Sequence, residues 1–290
     1  MSEVLVIGAT GKQGGAVARL LLEHGHEVVA YVRAEDSPAA QELSAAGARL
    51  APGDLADAGA LQRAATGVDA VFGLSVPFGE GGRDEEVAQG RRIVDAAERA
   101  GAHLVYSSVR GGDRLEATGV DHADSKQLVE AYLRERQVPA TVLGPVYFME
   151  NALNLGFSGL GDGVLANPLS PGKELDQVTV LDIAGLAVYA VENPAEMTGR
   201  RVDIASDRVT GEEAVRILSE VIGREIPYRR LPLDMVRQWA GDEVADMFDN
   251  FERNTDFVDT AALRAAYPSV RWHTYADWAA TVDWEKVLKG

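Results

Sequence analysis

The sequence of 290 residues contains no cysteine. That absence excludes disulfides, thiolate zinc sites and a cysteine nucleophile. A reducing compartment is the simplest setting, so a cytoplasmic protein is expected. Long hydrophobic runs are also missing: stretches such as Leu186 to Val191 fall far short of the roughly 20 residues that a bilayer-spanning helix needs. No charged leader precedes an apolar stretch at the opening of the chain, which enters a strand-like segment almost at once, so no export signal is expected. Basic charge is scarce, with 28 Lys and Arg against 45 Asp and Glu and a formal net charge of −17. Such a balance opposes long-range attraction to phosphate backbones, and direct nucleic-acid binding is not expected. The acidic excess reads as a well-solvated surface that names no partner. His24, His26 and His103 are scattered, with no carboxylate at metal-ligand spacing, so no metal site is expected. No Gly-x-Ser-x-Gly elbow is present, which argues against a serine hydrolase of that type.

What is present is an alternation. Up to about Pro145, short β-branched runs alternate with helical patterns, which predicts repeated βαβ units and a parallel sheet. Six strands are expected: Val4 to Ile7, Glu27 to Val32, Arg49 to Pro52, Ala70 to Leu74, His103 to Ser107 and Ala140 to Leu143. Each is apolar enough to be buried on both faces. Amphipathic stretches between them, such as Gly15 to Glu23, Arg91 to Arg99 and Ser125 to Arg136, carry apolar residues at helical spacing. From Gly156 to Gly172 the pattern becomes too rich in Gly and Pro for a regular element and reads as a lid or pocket wall. Regularity returns with a helix from about Asp182 to Glu192, a strand at Arg201 to Ala205 that should rejoin the sheet, and a helix opened by Thr210 and Glu213 in capping-box spacing. The tryptophans Trp239, Trp272, Trp278 and Trp284 lie among C-terminal helical segments, and most are expected to be packing residues. The expected fold is therefore α/β, a doubly wound parallel Rossmann sheet over residues 1–150, rejoined by the strand near 201–205, with a smaller C-terminal α/β substrate lobe over 151–290.

The strongest local signal is Val4-Leu5-Val6-Ile7-Gly8-Ala9-Thr10-Gly11-Lys12-Gln13-Gly14-Gly15, a buried strand followed by a glycine-rich turn and a helix. Glycines there let the chain approach a pyrophosphate closely, while amides at the helix start and the helix dipole hold its negative charge. Gly8, Thr10, Gly11, Lys12, Gln13 and Gly14 are thus candidate cofactor contacts. About 20 residues further on, an NAD-specific site places an acidic side chain against the ribose 2′-hydroxyl. This sequence has Arg33, whose forked guanidinium matches a 2′-phosphate, and Lys12 adds a second cation, so NADP(H) is favoured over NAD(H). The competing reading pairs Arg33 with Glu35 or Asp36 on the surface. Two further segments fall at strand ends: Asp54-Leu55, expected to border the adenine, and Ser75-Val76-Pro77, expected to border the nicotinamide ribose.

Beyond the glycine loop, Arg33, Gly53-Asp54-Leu55, the helix His122 to Leu133 with Lys126 and Glu130, and Gly144-Pro145-Val146-Tyr147-Phe148-Met149-Glu150-Asn151 give the sequence a resemblance. It resembles the NmrA-like branch of the atypical short-chain dehydrogenase/reductases along most of the chain. The resemblance implies a Rossmann core, NADP(H) binding and a C-terminal lobe closing over a cleft. It implies either of two roles: a reductase of quinones, dyes or other unsaturated small molecules, or a sensor of the NADP redox state acting without turnover through a protein partner. Association with a second copy of the chain is left open.

Typical short-chain dehydrogenases use a serine, a tyrosine and a lysine four residues after that tyrosine. Here His122 stands where the tyrosine would be, and Lys126 is kept. Residues four apart share a helix face, so both are expected to point at the nicotinamide. Lys126 would hold the nicotinamide ribose and stabilise negative charge on a substrate oxygen, with His122 or Tyr147 delivering the proton. Tyr147, Phe148 and Met149 also read as an apolar pocket wall. Ser107 and Ser108 fall in the family's serine region, where a hydroxyl often bonds only nearby backbone.

Overall fold

The computed structural model describes residues 1–77, 79–114 and 118–289. Strands and helices alternate as β1 (Glu3–Ile7), α1 (Lys12–Glu23), β2 (Glu27–Val32), α2 (Pro38–Ala45), β3 (Arg49–Pro52), α3 (Ala58–Ala64), β4 (Ala70–Gly73), α4 (Gly82–Ala100), β5 (His103–Ser107), α5 (Asp121–Arg136) and β6 (Ala140–Pro145). Then follow β7 (Tyr147–Phe148), a 3-10 turn at Met149–Leu153, α6 (Leu155–Ser158), a second 3-10 turn at Leu160–Asp162, β8 (Leu165–Asn167), β9 (Leu175–Val178), α7 (Val180–Glu192), α8 (Pro194–Met197) and β10 (Arg201–Ile204). The remainder is β11 (Asp207–Val209), α9 (Gly211–Ile222), β12 (Tyr228–Arg230), α10 (Leu233–Ala240), α11 (Asp242–Arg253), α12 (Thr260–Ala266), α13 (Tyr275–Thr281) and α14 (Trp284–Lys289). Among the described residues no helix is long and apolar enough to cross a membrane.

The chain divides into two compact units, one of Met1–Pro145 with Ile183–Asp203 and one of Val146–Asp182 with Ile204 onward. The division is not a single cut near residue 150, because the chain returns to the first unit after leaving it. In that unit seven strands form one sheet in the order β10-β6-β5-β4-β1-β2-β3. The ladders are parallel, with Val4 opposite both Val28 and Ala70. The expected strand after residue 200 is β10, which lies beside β6 and follows its direction: Gly199 N donates to Ala140 O at 2.7 Å and Val142 N to Arg200 O at 2.9 Å. Apolar residues fill consecutive positions of the inner strands because helices cover both faces of a parallel sheet. Val4, Leu5, Val6 and Ile7 are all buried, as are Leu104, Val105 and Tyr106.

Two helices start earlier than their apolar periodicity indicates. α4 begins at Gly82 and α5 at Asp121, each with acidic residues in its first turn (Asp84 and Glu85; Asp121 and Asp124) that the helix dipole favours but an apolar count misses. These two helices approach closely at Gly90, where an added Cβ would lie 2.3 Å from Val129 Cγ2. That approach brings Glu86, one turn before Gly90, to within 3.1 Å of Lys126, one turn before Val129.

In the second unit β11-β9-β7 form a small sheet and β12 pairs with β8. The stretch from Gly156 to Gly172, read from sequence as wholly irregular, instead carries parts of α6 and the whole of β8, since pieces of three or four residues are too short for periodicity to reveal. The capping box is present, Thr210 Oγ1 accepting from Glu213 N at 3.1 Å and Glu213 Oε2 from Thr210 N at 2.8 Å. Trp278 and Trp284 are buried core residues, whereas Trp239 is 58% exposed.

Gly90→Ala is expected to destabilise the protein by about 1–3 kcal/mol through overpacking of α4 on α5. Denaturant unfolding of the variant against the wild type measures it, and an unchanged midpoint would show that the helices can part without cost.

Candidate functional site

In a doubly wound sheet the loops after the strands collect along one edge, and the crevice opens where the strand order reverses. Here the reversal is at β1, flanked by β4 on one side and β2 on the other. The loops following β1, β2, β3 and β4 hold, in turn, the glycine turn, Arg33, Asp54-Leu55 and Ser75-Val76-Pro77. The sheet thus brings these four segments to one edge.

In the first loop, Gly11 N donates to Gly8 O at 2.8 Å, closing the turn, and Gly11 is the N-cap of α1 with no side chain bonded to the helix amides. At Gly14 an added Cβ would lie 2.3 Å from Gly8 O and 2.8 Å from Ile7 O. Both neighbours are backbone of the turn and cannot swing away. Thr10, Gly11 and Lys12 are exposed, and Gln13 is half-buried, its Oε1 accepting from Ser107 Oγ at 2.7 Å. A small, backbone-lined cradle with uncapped amides is the donor arrangement that a pyrophosphate requires. Arg33 is exposed just beyond β2 and makes no ion pair with Glu35 or Asp36. Asp54 is exposed, with Oδ1 accepting from Ala56 N at 2.8 Å, while its carbonyl accepts from Tyr31 at 2.9 Å. The Leu55 carbonyl accepts from Arg92 at 3.1 Å.

The loop after β4 contains the most concentrated chemistry of the unit. Lys126, only 6% exposed, donates to the Ser75 carbonyl at 3.0 Å and to Ser75 Oγ at 2.7 Å, and pairs with Glu86 Oε1 at 3.1 Å. An ammonium has three protons, and these three partners use them all. Ser75 Oγ also bonds Tyr106 OH at 3.1 Å and reaches Glu86 Oε1 at 3.3 Å. Ser125 Oγ donates to Glu86 Oε2 at 2.6 Å and to the His122 carbonyl at 2.9 Å. Burial pulls the Lys126 ammonium below the ordinary lysine range, opposed by Glu86 and Glu130. Burial likewise pushes the Tyr106 phenol up. Val76 is exposed, its amide held by Gln89 Oε1 at 3.0 Å, and Pro77 is half-buried.

The two serines after β5 reach beyond nearby backbone. Ser107 holds Gln13, and Ser108 Oγ donates to Glu130 Oε1 at 2.5 Å. Arg201 of β10 closes that second network, with Nε 3.1 Å from Glu130 Oε2 and Nη2 2.7 Å from the Val109 carbonyl. His122 is half-buried in the first turn of α5, one turn from Lys126, and offers its carbonyl to Ser125.

Tyr147 belongs to the second unit. There it lines a cavity of about 50 Å³ together with Phe157, Lys173, Gln177, Tyr228 and Tyr275. Burial raises the Tyr147 phenol above its ordinary range, with a hydrogen bond from Asn151 opposing. Phe157 stacks on Trp239 at 5.7 Å and on Phe248 at 6.1 Å, so an aromatic column backs the cavity wall.

Glu86, Tyr106, Ser125 and Arg201 did not stand out in the sequence. For Glu86 a signal existed: Glu86, Gly90, Ile93 and Ala97 recur at helical spacing, so the carboxylate falls in line with the buried stripe of α4. A carboxylate in such a stripe needs a partner, and the unpaired lysine in the equivalent stripe of α5 is the obvious one.

The strand order and the glycine turn define an open, doubly wound α/β protein of the Rossmann type. The model of the NmrA-like family matches residues 1–284, and the chain belongs to that family. It is 31% identical over 246 residues to an NAD(P)H azoreductase of Xenophilus azovorans, covering 81% of this chain and 79% of the relative. It is 27% identical over 286 residues to a (4-alkanoyl-5-oxo-2,5-dihydrofuran-3-yl)methyl phosphate reductase of Streptomyces griseus, covering 96% of each. Among solved structures, a negative transcriptional regulator, NmrA, superposes with a TM-score of 0.78 at 21% identity over 98% of this chain and 96% of that one. An NADPH-dependent quinone oxidoreductase from Escherichia coli, complexed with NADPH, gives 0.77 at 23% identity over 96% and 99%. At these identities the structural likenesses show the shared fold.

Gly14→Ala is expected to cost about 1–3 kcal/mol of stability in the unliganded protein, because the new methyl meets immovable backbone. Gly11→Ala, where the added Cβ would meet only Gly8 O at 3.2 Å, is expected to cost less. Paired denaturation curves check the order, and equal midpoints for the two variants would refute the close approach.

Proposed function

We propose that the chain is an NADPH-dependent reductase of a hydrophobic carbonyl, quinone or conjugated small molecule, with the cofactor held by the first unit and the acceptor by the second. The observation that carries the reading is the cradle at Gly14, a backbone turn with uncapped amides into which no side chain fits. The amides at Gly11, Lys12, Gln13 and Gly14, with Gly8 and Thr10 shaping the turn, are the groups to hold a pyrophosphate. Arg33 and Lys12 supply positive charge for a 2′-phosphate. Asp54 and Leu55 border the adenine, and Ser75, Val76 and Pro77 the nicotinamide ribose. When bound, the nicotinamide supplies a hydride. Lys126 makes its end of the sheet electropositive, and His122, Tyr147 or water delivers the proton to the reduced acceptor. The names of the two reductase relatives support the assignment of reaction class.

A second reading is that the protein senses the NADP redox state and acts through a protein partner. The histidine at 122 in place of a tyrosine, together with the likeness to a transcriptional regulator, favours it. A sensor must bind its partner differently in the two cofactor states, since a ligand shifts an equilibrium only by its differential affinity.

Calorimetric titration of the wild type with NADPH, NADP⁺, NADH and NAD⁺ is expected to show preference for the phosphorylated pair. Arg33→Asp is expected to weaken NADPH by roughly 10- to 100-fold, the loss of a charge-assisted contact of about 1.5–3 kcal/mol, while leaving NADH little changed. An unchanged NADPH to NADH ratio in Arg33→Asp would remove the assignment of Arg33. A panel of quinones and aromatic ketones that drives no NADPH oxidation above background would decide for the sensor.

A further inference from the structure

The geometry points to Glu86 as a positioning residue, which holds Lys126 protonated and pins its ammonium to the Ser75 loop. The claim rests on the reductase reading for its functional meaning, but the pairing itself is a property of this chain. Glu86 is 3% exposed and Lys126 6% exposed, so neither charge is shared with solvent. Each oxygen of the carboxylate has a dedicated partner: Oε1 faces the Lys126 ammonium at 3.1 Å, and Oε2 accepts from Ser125 at 2.6 Å. Since all three ammonium protons are spent on Ser75 and Glu86, Lys126 acts on the ribose side through the loop it anchors, unless it releases one partner. Removing one member of such a pair leaves an uncompensated charge, whereas an isosteric amide keeps the shape and removes only the charge.

The titratable groups facing Lys126 are few. Glu86 comes from α4, Tyr106 from β5 at 5.6 Å from ammonium to ring centre, and Glu130 lies one turn along α5. Glu130 is itself engaged by Arg201 at 3.1 Å, and Asp124, on the same helix, by the Thr118 amide at 2.7 Å. That leaves Glu86 as the direct counter-charge of the ammonium. Glu86→Gln can turn its carbonyl oxygen to Lys126 and its amide to Ser125, whose hydroxyl then accepts, so the bonding pattern survives without the charge.

Two readouts test the proposal. The first follows the Lys126 side-chain nitrogen by NMR in lysine-labelled protein, assigned with Lys126→Arg, as pH is raised. Glu86→Gln is expected to lower its titration midpoint by about 1–3 pH units, the usual effect of losing an opposite charge at this range. Glu86→Asp, which keeps the charge but retracts it by one methylene, is expected to lower it by less, and it carries the test should the glutamine variant not fold. The second readout is NADPH oxidation with 1,4-naphthoquinone. In Glu86→Gln the basic limb of kcat/KM is expected to move to lower pH by the same interval, with kcat falling about tenfold and the NADPH Kd changing less than about threefold, since a one-unit loss of protonation is a tenfold effect. In Glu86→Asp the limb should move back toward the wild-type position.

A titration midpoint unmoved in both variants overturns the proposal. A loss of thermal stability with kcat/KM reduced equally at every pH reduces Glu86 to a packing residue and overturns it as well. The two levels separate cleanly: a wild type that binds no pyridine nucleotide sinks the reductase reading while the titration still decides for or against Glu86. A wild type active on the quinone with Lys126 indifferent to Glu86→Gln sinks the positioning role alone.

Discussion

A buried ammonium must be surrounded by acceptors, and in this protein that constraint organises one whole end of the sheet. Lys126 has given up water, a loss worth several kcal/mol for an isolated ion, and Glu86, the Ser75 carbonyl and the Ser75 hydroxyl together replace it. The arrangement requires α4 and α5 to lie nearly in contact, which Gly90 permits. It also requires the β4 loop to stay at a fixed height above the strand end, because its Ser75 carbonyl is one of the three ligands. Loop, helices and charge are therefore set by a single bonding problem.

The edge of the sheet beside β1 solves a different problem. A phosphate needs several donors converging without intervening side chains, and the turn from Gly8 to Gly14 presents backbone only. Ser107, through Gln13, ties that turn to the end of β5, and Ser108, through Glu130 and Arg201, ties β5 to the seventh strand. Both serines that a short-chain dehydrogenase pattern marks for chemistry are occupied in structural bonds. The proposed proton delivery therefore falls on His122, Tyr147 or water.

Charge distribution fits a small-molecule role. A net charge of −17 spread over the surface coexists with an exposed Arg33 and an exposed Lys12 at the proposed nucleotide edge. Local cations in a broadly acidic protein select a compact anion while discouraging polyanions, whose many phosphates sample the whole field. In the second unit, the phenols of Tyr147, Tyr228 and Tyr275 are all held above their ordinary range by burial. Neutral phenols and a stacked aromatic wall favour an uncharged, unsaturated acceptor over a carboxylate or a sugar phosphate.

Several features were legible in the residues alone because they depend on neighbours in sequence. The alternating apolar runs gave the six strands of the first half, the spacing of Thr210 and Glu213 gave a capped helix, and the glycine turn showed its character from seven consecutive positions. The short pieces from Leu155 to Asn167 escaped notice because three or four residues carry too little periodicity. Glu86 escaped because a carboxylate's worth depends on what faces it, and its partner lies 40 positions away on another helix. Amino-acid order determined which segments become strands, helices and turns, since those choices are settled within a few residues by backbone sterics and local hydrogen bonds. Only tertiary structure decided which charges are buried together, because desolvation and pairing act through space between residues that the chain itself keeps far apart.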